Sequence, residues 1–92
     1  MTPQAAETLA LSALAWLAAN DELWPIFMGS TGADATNLRA QARDPEFLAA
    51  VLDFILMDDA WITECARALE QKPETLSRAR AALPGGAQVH WT

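Results

Sequence analysis

The strongest constraint on this fold is an apolar surface that only an α-helix can form. Between residues 45 and 57, apolar side chains recur every three or four positions. At about 100° per residue they fill an arc of roughly 200°, which is typical of a helix with neighbours on several sides. These side chains are Phe47, Leu48, Val51, Leu52, Phe54, Ile55 and Leu56. The segment predicts an all-α protein in which this helix is central.

Helix-start signals divide the rest of the chain into short segments. At each of six positions a capping side chain, a proline or both stand ahead of an apolar-periodic stretch. These positions are Thr2-Pro3, Asp21, Asp34, Asp44-Pro45, Asp58 and Pro73. The predicted helices are 3–19, 22–29, 35–43, 45–57, 59–71 and 74–83. We therefore expect a compact bundle of five to six helices, with one domain over residues 1–86 and a C-terminal tail over residues 87–92.

The first and fourth predicted helices match each other at a spacing of 38 residues. Leu9 corresponds to Phe47 in this register, and Leu17 corresponds to Ile55. Two pseudo-repeated three-helix units, 3–43 and 45–83, would explain the match, and so would chance alignment of short apolar-periodic helices. Neither unit can close a core alone, so we expect the first and fourth helices to pack against each other.

Charge and apolar length exclude two classes of partner. The net charge is −6, with 6 basic against 12 acidic residues, whereas nucleic-acid binders need Lys and Arg to neutralise phosphates. The longest uncharged run, residues 8–20, is shorter than the roughly 20 residues that cross a bilayer. The single cysteine allows no intramolecular disulfide. These features predict a cytoplasmic protein that binds neither nucleic acid nor membrane.

The size of the chain favours a second copy. Apolar burial in a 92-residue chain contributes about 140 kcal/mol. Ordering the same residues costs about as much, at roughly 1.5 kcal/mol each. Because a second copy would bury further apolar surface, we expect a homodimer.

No set of side chains typical of catalysis or metal binding occurs in the sequence. His90 lies almost at the end, where a general base is poorly positioned. Cys65 falls on the apolar face of its helix, which favours a small buried hydrophobe. Asp58 and Asp59 fit a helix N-terminus better than a metal site, and Asp53 points to the solvent side. We predict no enzymatic activity, no catalytic residue, no cofactor and no metal.

An interaction surface is the functional feature that the sequence supports best. Aromatic and methionine side chains at Trp24, Met28, Met57 and Trp91 exceed what the smaller helix faces need. Packing within the core is the alternative use for these side chains. A tail gains nothing from tryptophan unless the ring docks, so we expect Trp91 to occupy a groove of its own or of a neighbouring subunit.

Three segments resemble a known family of helical proteins. They are ALAWLA at 13–18, DPEFLAAVLDFIL at 44–56 and ARAALPGG at 79–86. They are similar to the alphaproteobacterial family labelled domain of unknown function 3572, and the resemblance covers nearly the whole chain. It implies a short helical cytoplasmic protein without assigned activity. Such genes can lie beside one for a receiver-domain response regulator, which implies a protein partner in signalling.

Two functions follow from these observations. The first is a non-enzymatic protein-protein interaction or regulatory module that acts as a homodimer through its aromatic and methionine surface. The second is a small-molecule-binding regulator with an apolar pocket between the two helical halves, in which Trp16 or Trp61 forms a wall.

Overall fold

Six α-helices and no strand make up the part of the chain that the computed structural model describes, residues 1–32 and 36–85. The helices are α1 (Pro3–Ala18), α2 (Leu23–Thr31), α3 (Leu38–Gln41), α4 (Pro45–Ile55), α5 (Asp59–Ala68) and α6 (Pro73–Ala81). The predicted all-α bundle is confirmed. The largest difference is at α3, which has only four residues and none of them buried.

Capping side chains begin three of the helices where the sequence predicts them. Side-chain oxygens of Thr2, Asp44 and Asp58 accept hydrogen bonds from first-turn backbone N–H groups, at 3.1, 3.0 and 2.8 Å. Proline follows the cap in α1 and α4, where the missing N–H forfeits no intrahelical bond. Local chemistry therefore sets the starts of α1, α4 and α5.

The start of α2 differs from the prediction by one residue. Asn20, not Asp21, provides the capping oxygen, and its Oδ1 accepts from the N–H groups of Glu22 and Leu23 at 3.0 Å each. An amide oxygen caps a helix as well as a carboxylate does. Because Asn and Asp are adjacent, composition alone does not decide between them. The predicted start at Asp34 lies outside the described residues.

The core lies where α1, α4 and α6 meet. α4 buries six side chains, which confirms that it is surrounded by other helices: Leu48, Ala49, Val51, Leu52, Phe54 and Ile55. α1 makes its most extensive contacts with α4 and then with α6. The expected pairing of the first and fourth helices is therefore present, and α6 completes the triangle.

Alanines on α1 permit this close packing. Ala6, Ala10 and Ala13 are fully buried, and only Leu14 and Leu17 add larger buried side chains to the helix. A helix with methyl groups at the contact allows its neighbours to approach closely. α1 therefore serves as a thin central element against which α4 and α6 pack.

The two predicted three-helix units differ in their third helix. Leu38 on the short α3 is half-buried, whereas its counterpart Leu76 on α6 is fully buried in the core. The match is closer in the first helix of each unit, where Leu17 and Ile55 are both fully buried. The equivalence of the two units is thus confined to their longer helices.

α5 ends in a left-handed turn that the sequence does not signal. Glu70 has a φ of 56°, a conformation that glycine usually supplies. The Gln71 N–H donates to the Ala66 carbonyl at 2.8 Å, and the Glu70 N–H donates to the Arg67 carbonyl at 3.1 Å. These two hydrogen bonds form the Schellman motif, which turns the chain from α5 towards α6.

Candidate interaction surface

A row of aromatic rings joins α2 and α5 to α4. The Trp24 ring stacks on Phe27 at a centroid distance of 5.5 Å, and Phe54 stacks on Trp61 at 4.9 Å. Phe27 connects the two pairs, since its ring meets Phe54 edge-on at 5.4 Å and Phe47 edge-on at 5.9 Å. These offset and edge-on geometries are the favourable ones for aromatic side chains. The row fixes two peripheral helices onto the central one.

The four side chains predicted as an interaction surface lie in different environments. Trp24 and Met28 are half-buried on α2 and pack against the core. Met57 follows α4 and is 76% exposed. Trp91 lies outside the described residues. The structure therefore places Trp24 and Met28 on one helix, and Met57 on a separate connection between α4 and α5.

Asp53 is solvent-facing as predicted and also has a partner. Its Oδ1 accepts from Nε of Arg80 in an ion pair that connects α4 to α6. Nη1 of Arg80 donates to the Pro84 carbonyl at 2.9 Å. The sequence does not reveal this contact, because Arg80 is 27 residues away and only the packing of α6 on α4 brings it near. The arrangement is structural, since it secures the end of α6.

Cys65 is buried in the core, as its position on the helix predicts. Burial disfavours the charged thiolate and raises the pKa of Cys65 from its ordinary value of 9.0 to about 11. Nucleophilic chemistry requires the thiolate. The thiol is thus poorly suited to catalysis or to redox sensing.

Burial of Cys65 makes the stability of the protein fall in alkaline solution. The folded pKa of about 11 exceeds the unfolded value of 9.0, so above pH 9 the unfolded state loses its proton first and gains stability. We expect the urea midpoint to fall between pH 9 and 11, and to fall less in Cys65→Ala. The chain has no tyrosine and one lysine, which leaves few other groups titrating there. An equal fall of the urea midpoint with pH in the wild-type protein and in Cys65→Ala would contradict this prediction.

The acidic side chains of the described ranges do not assemble into a metal site. No group of three or more His, Cys, Asp or Glu side chains is close enough to hold a metal ion among residues 1–32 and 36–85. Asp58 uses its Oδ1 to cap α5, as the sequence predicts.

None of the six described helices is long and apolar enough to cross a membrane.

The outer face of α1, the longest helix in the described structure, carries no charged side chain. We define this face as the exposed side chains of α1 together with the residue that ends it: Gln4, Ala5, Thr8, Leu11, Ser12, Ala15, Ala18 and Ala19. Leu11, 43% exposed, is its largest apolar side chain. The face follows the helix for about 24 Å, at a rise of 1.5 Å per residue. It provides a mostly apolar strip with hydroxyl groups at Thr8 and Ser12.

Shallow grooves flank this face on both sides. A groove of about 440 Å³ separates α1 from α3 and is lined by Leu11, Leu14, Ala15, Ala18, Leu38, Arg39 and Ala42. A second groove, of about 410 Å³, separates α1 from the α5–α6 turn and is lined by Met1, Ala5, Thr8, Leu9, Ser12, Leu69, Gln71 and Thr75. The outer face is therefore a ridge between two depressions, a shape into which another helix surface can pack.

The other long helices present charges where α1 presents none. Exposed acidic or basic side chains occur on α4, α5 and α6, for example Asp53, Glu64 and Arg78. α2 is also uncharged, but it has 9 residues against the 16 of α1. Sequence periodicity did not single out the α1 face because half of its side chains are alanine, with Gln4, Thr8 and Ser12 among the others, a mixture that gives only a weak orientation signal. The signal that could have found it is the absence of charge between Thr8 and Asn20.

Of the two tryptophans expected to wall a ligand pocket, Trp16 lines a groove between the two halves, and Trp61 lines neither this groove nor the one between α1 and the α5–α6 turn. Trp16 borders a smaller groove of about 310 Å³ with Asn20, Glu64, Arg67 and Ala68. Trp61 instead stacks on Phe54.

Comparison with known proteins gives the chain a family. Neither a curated protein nor a solved structure matches it significantly. A family model described as protein of unknown function DUF3572 matches residues 3–86, which include all six helices and the whole outer face of α1. The resemblance seen in the three sequence segments is therefore confirmed, and the chain belongs to the DUF3572 family.

Proposed function

We propose that this protein is a non-enzymatic interaction module that acts as a homodimer through the outer face of α1. The observation that carries the proposal is the absence of charge on that face over the full length of the longest helix. An uncharged face loses little hydration energy on burial, because the cost of desolvating ionised groups does not arise. Its central Leu11 supplies apolar area that a second copy would remove from water.

Met57 belongs to the predicted surface and is strongly exposed, but it supports association less well than Leu11 does. It lies on a connection before the Asp58 cap, and scattered single apolar residues are normal on protein surfaces. The α1 face is continuous and has small side chains that allow close approach. We therefore place the principal contact on α1, with Met57 as the matched position for comparison.

We expect Leu11→Lys to dissociate the dimer. By symmetry the substitution brings two lysine ammonium groups to the interface, and the loss of hydration of each costs at least about 1 kcal/mol. The dissociation constant should rise at least about 30-fold. Sedimentation velocity over a range of micromolar concentrations measures this constant for the wild-type chain and the variant.

Met57→Lys is the control, because it adds the same charge at an exposed position away from α1. It should leave the dissociation constant within about twofold of wild type. A wild-type chain that sediments as a monomer at 100 μM would overturn the proposal. A chain dissociated by Met57→Lys but not by Leu11→Lys would move the contact to the methionine surface.

A second function rests on the groove between α1 and the α5–α6 turn. Its volume of about 410 Å³ lies within the range of small-molecule sites, and Leu9 and Leu69 line it together with the hydroxyls of Ser12 and Thr75. A neutral amphiphile with one hydrogen-bonding end suits this lining. A thermal-shift screen with such compounds tests it, since a ligand at 100 times its Kd adds about 2.7 kcal/mol to the free energy of unfolding.

A further inference from the structure

Two side chains beside the outer face of α1 indicate how a second copy would be oriented. We infer that the two α1 helices pair antiparallel about a two-fold axis near Leu11 and Ser12, and that Glu7 of each copy faces Arg39 of the other. This inference deepens the proposed function and rests on it. The occupant of the face is a second copy of the chain, and the charges of Glu7 and Arg39 select its antiparallel orientation.

Glu7 stands on one flank of the outer face, near its N-terminal end. At 3.6 residues per turn it lies about 40° around the helix from Leu11 and about 20° from Ala18. The side chain is half-buried at a groove that is also lined by Pro3 and Pro45. Glu7 therefore borders the uncharged strip without interrupting it.

Arg39 borders the same flank near the opposite end of α1. It is exposed on α3 and lines the groove whose α1 wall includes Leu11, Ala15 and Ala18. Ala18 lies only about 20° from Glu7 around the helix, so the acid and the base share one side of the strip. The α1 wall of that groove extends from Leu11 to Ala18, about 6 to 17 Å beyond Glu7 along the helix axis at 1.5 Å per residue.

Both charges lack an ion-pair partner within residues 1–32 and 36–85. The salt bridge found among those residues joins Arg80 to Asp53 and involves neither Glu7 nor Arg39. A two-fold axis perpendicular to two antiparallel helices keeps each flank on its own side and reverses the direction along the helix. Glu7 of one copy then reaches the level of Arg39 of the other, and this contact occurs twice.

The position of the axis follows from the same two residues. The α1 wall of the Arg39 groove is centred between Leu14 and Ala15, and the level midway between that centre and Glu7 lies near residue 11. This is also the middle of the uncharged strip, which extends from Gln4 to Ala19. Charge pairing and full overlap of the apolar strips therefore select the same axis. A parallel pair would place the charged flanks on opposite sides and leave all four charges apart.

The test exchanges the two charges between chains. Glu7→Arg alone and Arg39→Glu alone each create two like-charge contacts, and each should raise the dissociation constant about 5- to 30-fold. Mixing the two single variants should restore association, since their heterodimer contains one native and one reversed pair. The double variant E7R/R39E should self-associate nearly as well as wild type.

If mixing restores association, the two charges must contact each other between chains. Mixing cannot repair a change of charge that acts within a single chain. Circular dichroism and melting temperature establish that each single variant folds. Salt gives a second measurement if Glu7→Arg does not fold: between about 0.05 and 0.5 M NaCl the wild-type dissociation constant should rise, and that of E7Q/R39Q should not. A mixture no tighter than its single variants, or a salt response equal in both proteins, overturns the antiparallel pairing. The proposed dimer through the outer face of α1 fails only if wild type is monomeric or Leu11→Lys has no effect.

Discussion

Replacing Phe27 by alanine should lower the free energy of unfolding by about 3 to 5 kcal/mol. The Phe27 side chain is fully buried and contacts three other rings, those of Trp24, Phe47 and Phe54. Its removal leaves a cavity between α2 and α4 and ends the connection between the two stacked pairs. Since a domain of this size is stable by about 5 to 14 kcal/mol, the substitution removes a substantial part of the free energy of unfolding.

Urea denaturation followed by circular dichroism measures this loss. The neighbouring Ile26→Ala is the control, because Ile26 is 52% exposed and surface substitutions usually change stability by less than about 0.5 kcal/mol. A lower urea midpoint with an unchanged m value shows a loss of stability. A changed m value shows that the unfolded or the native state differs. A Phe27→Ala variant as stable as Ile26→Ala would mean that the aromatic row does not hold α2 in place.

Enlarging Ala10 to leucine should destabilise the protein by about 1 to 3 kcal/mol, although leucine is a good helix former. Ala10 is fully buried on α1, the helix with its most extensive contacts to α4 and α6. Three added carbon atoms there force the helices apart or force side chains out of their preferred rotamers. The expected loss is therefore a packing effect and not one of helix propensity.

Ala60→Leu provides the matched substitution for this experiment. Ala60 is exposed in the first turn of α5, where the same three carbons meet solvent. Its thermal midpoint should stay within about 2 °C of wild type, whereas that of Ala10→Leu should fall by several degrees. Equal midpoints would show that the α1–α4–α6 triangle has room for a larger side chain.

Local signals in the sequence predicted the helices well because their starts depend on neighbouring residues only. Thr2, Asp44 and Asp58 each cap a helix through a backbone N–H two or three residues further along, so the contact depends only on the local sequence. The wide apolar arc of α4 was equally informative, since burial on several sides needs no knowledge of the partners. The one-residue error at Asn20 reflects two adjacent residues of equal capping ability.

Features that depend on the tertiary arrangement were beyond this kind of prediction. Arg80 reaches Asp53 only because α6 packs on α4. The exposure of Leu11 depends on which side of a mostly apolar helix the rest of the bundle covers. Trp24 shows the same limit, because its sequence position fits an exposed patch as well as the half-buried stack in which it lies.

The order of the helices along the chain also affects folding during synthesis on the ribosome. α1 leaves first, yet its core contacts are with α4 and α6, and α6 ends at Ala81. At about 5 to 20 residues per second, synthesis from Ala18 to Ala81 takes roughly 3 to 13 s. During that interval α1, mostly apolar on its inner and its outer sides, has no completed surface to cover it. Until α6 has been synthesised, α1 is therefore an uncovered apolar segment of the kind that chaperones bind.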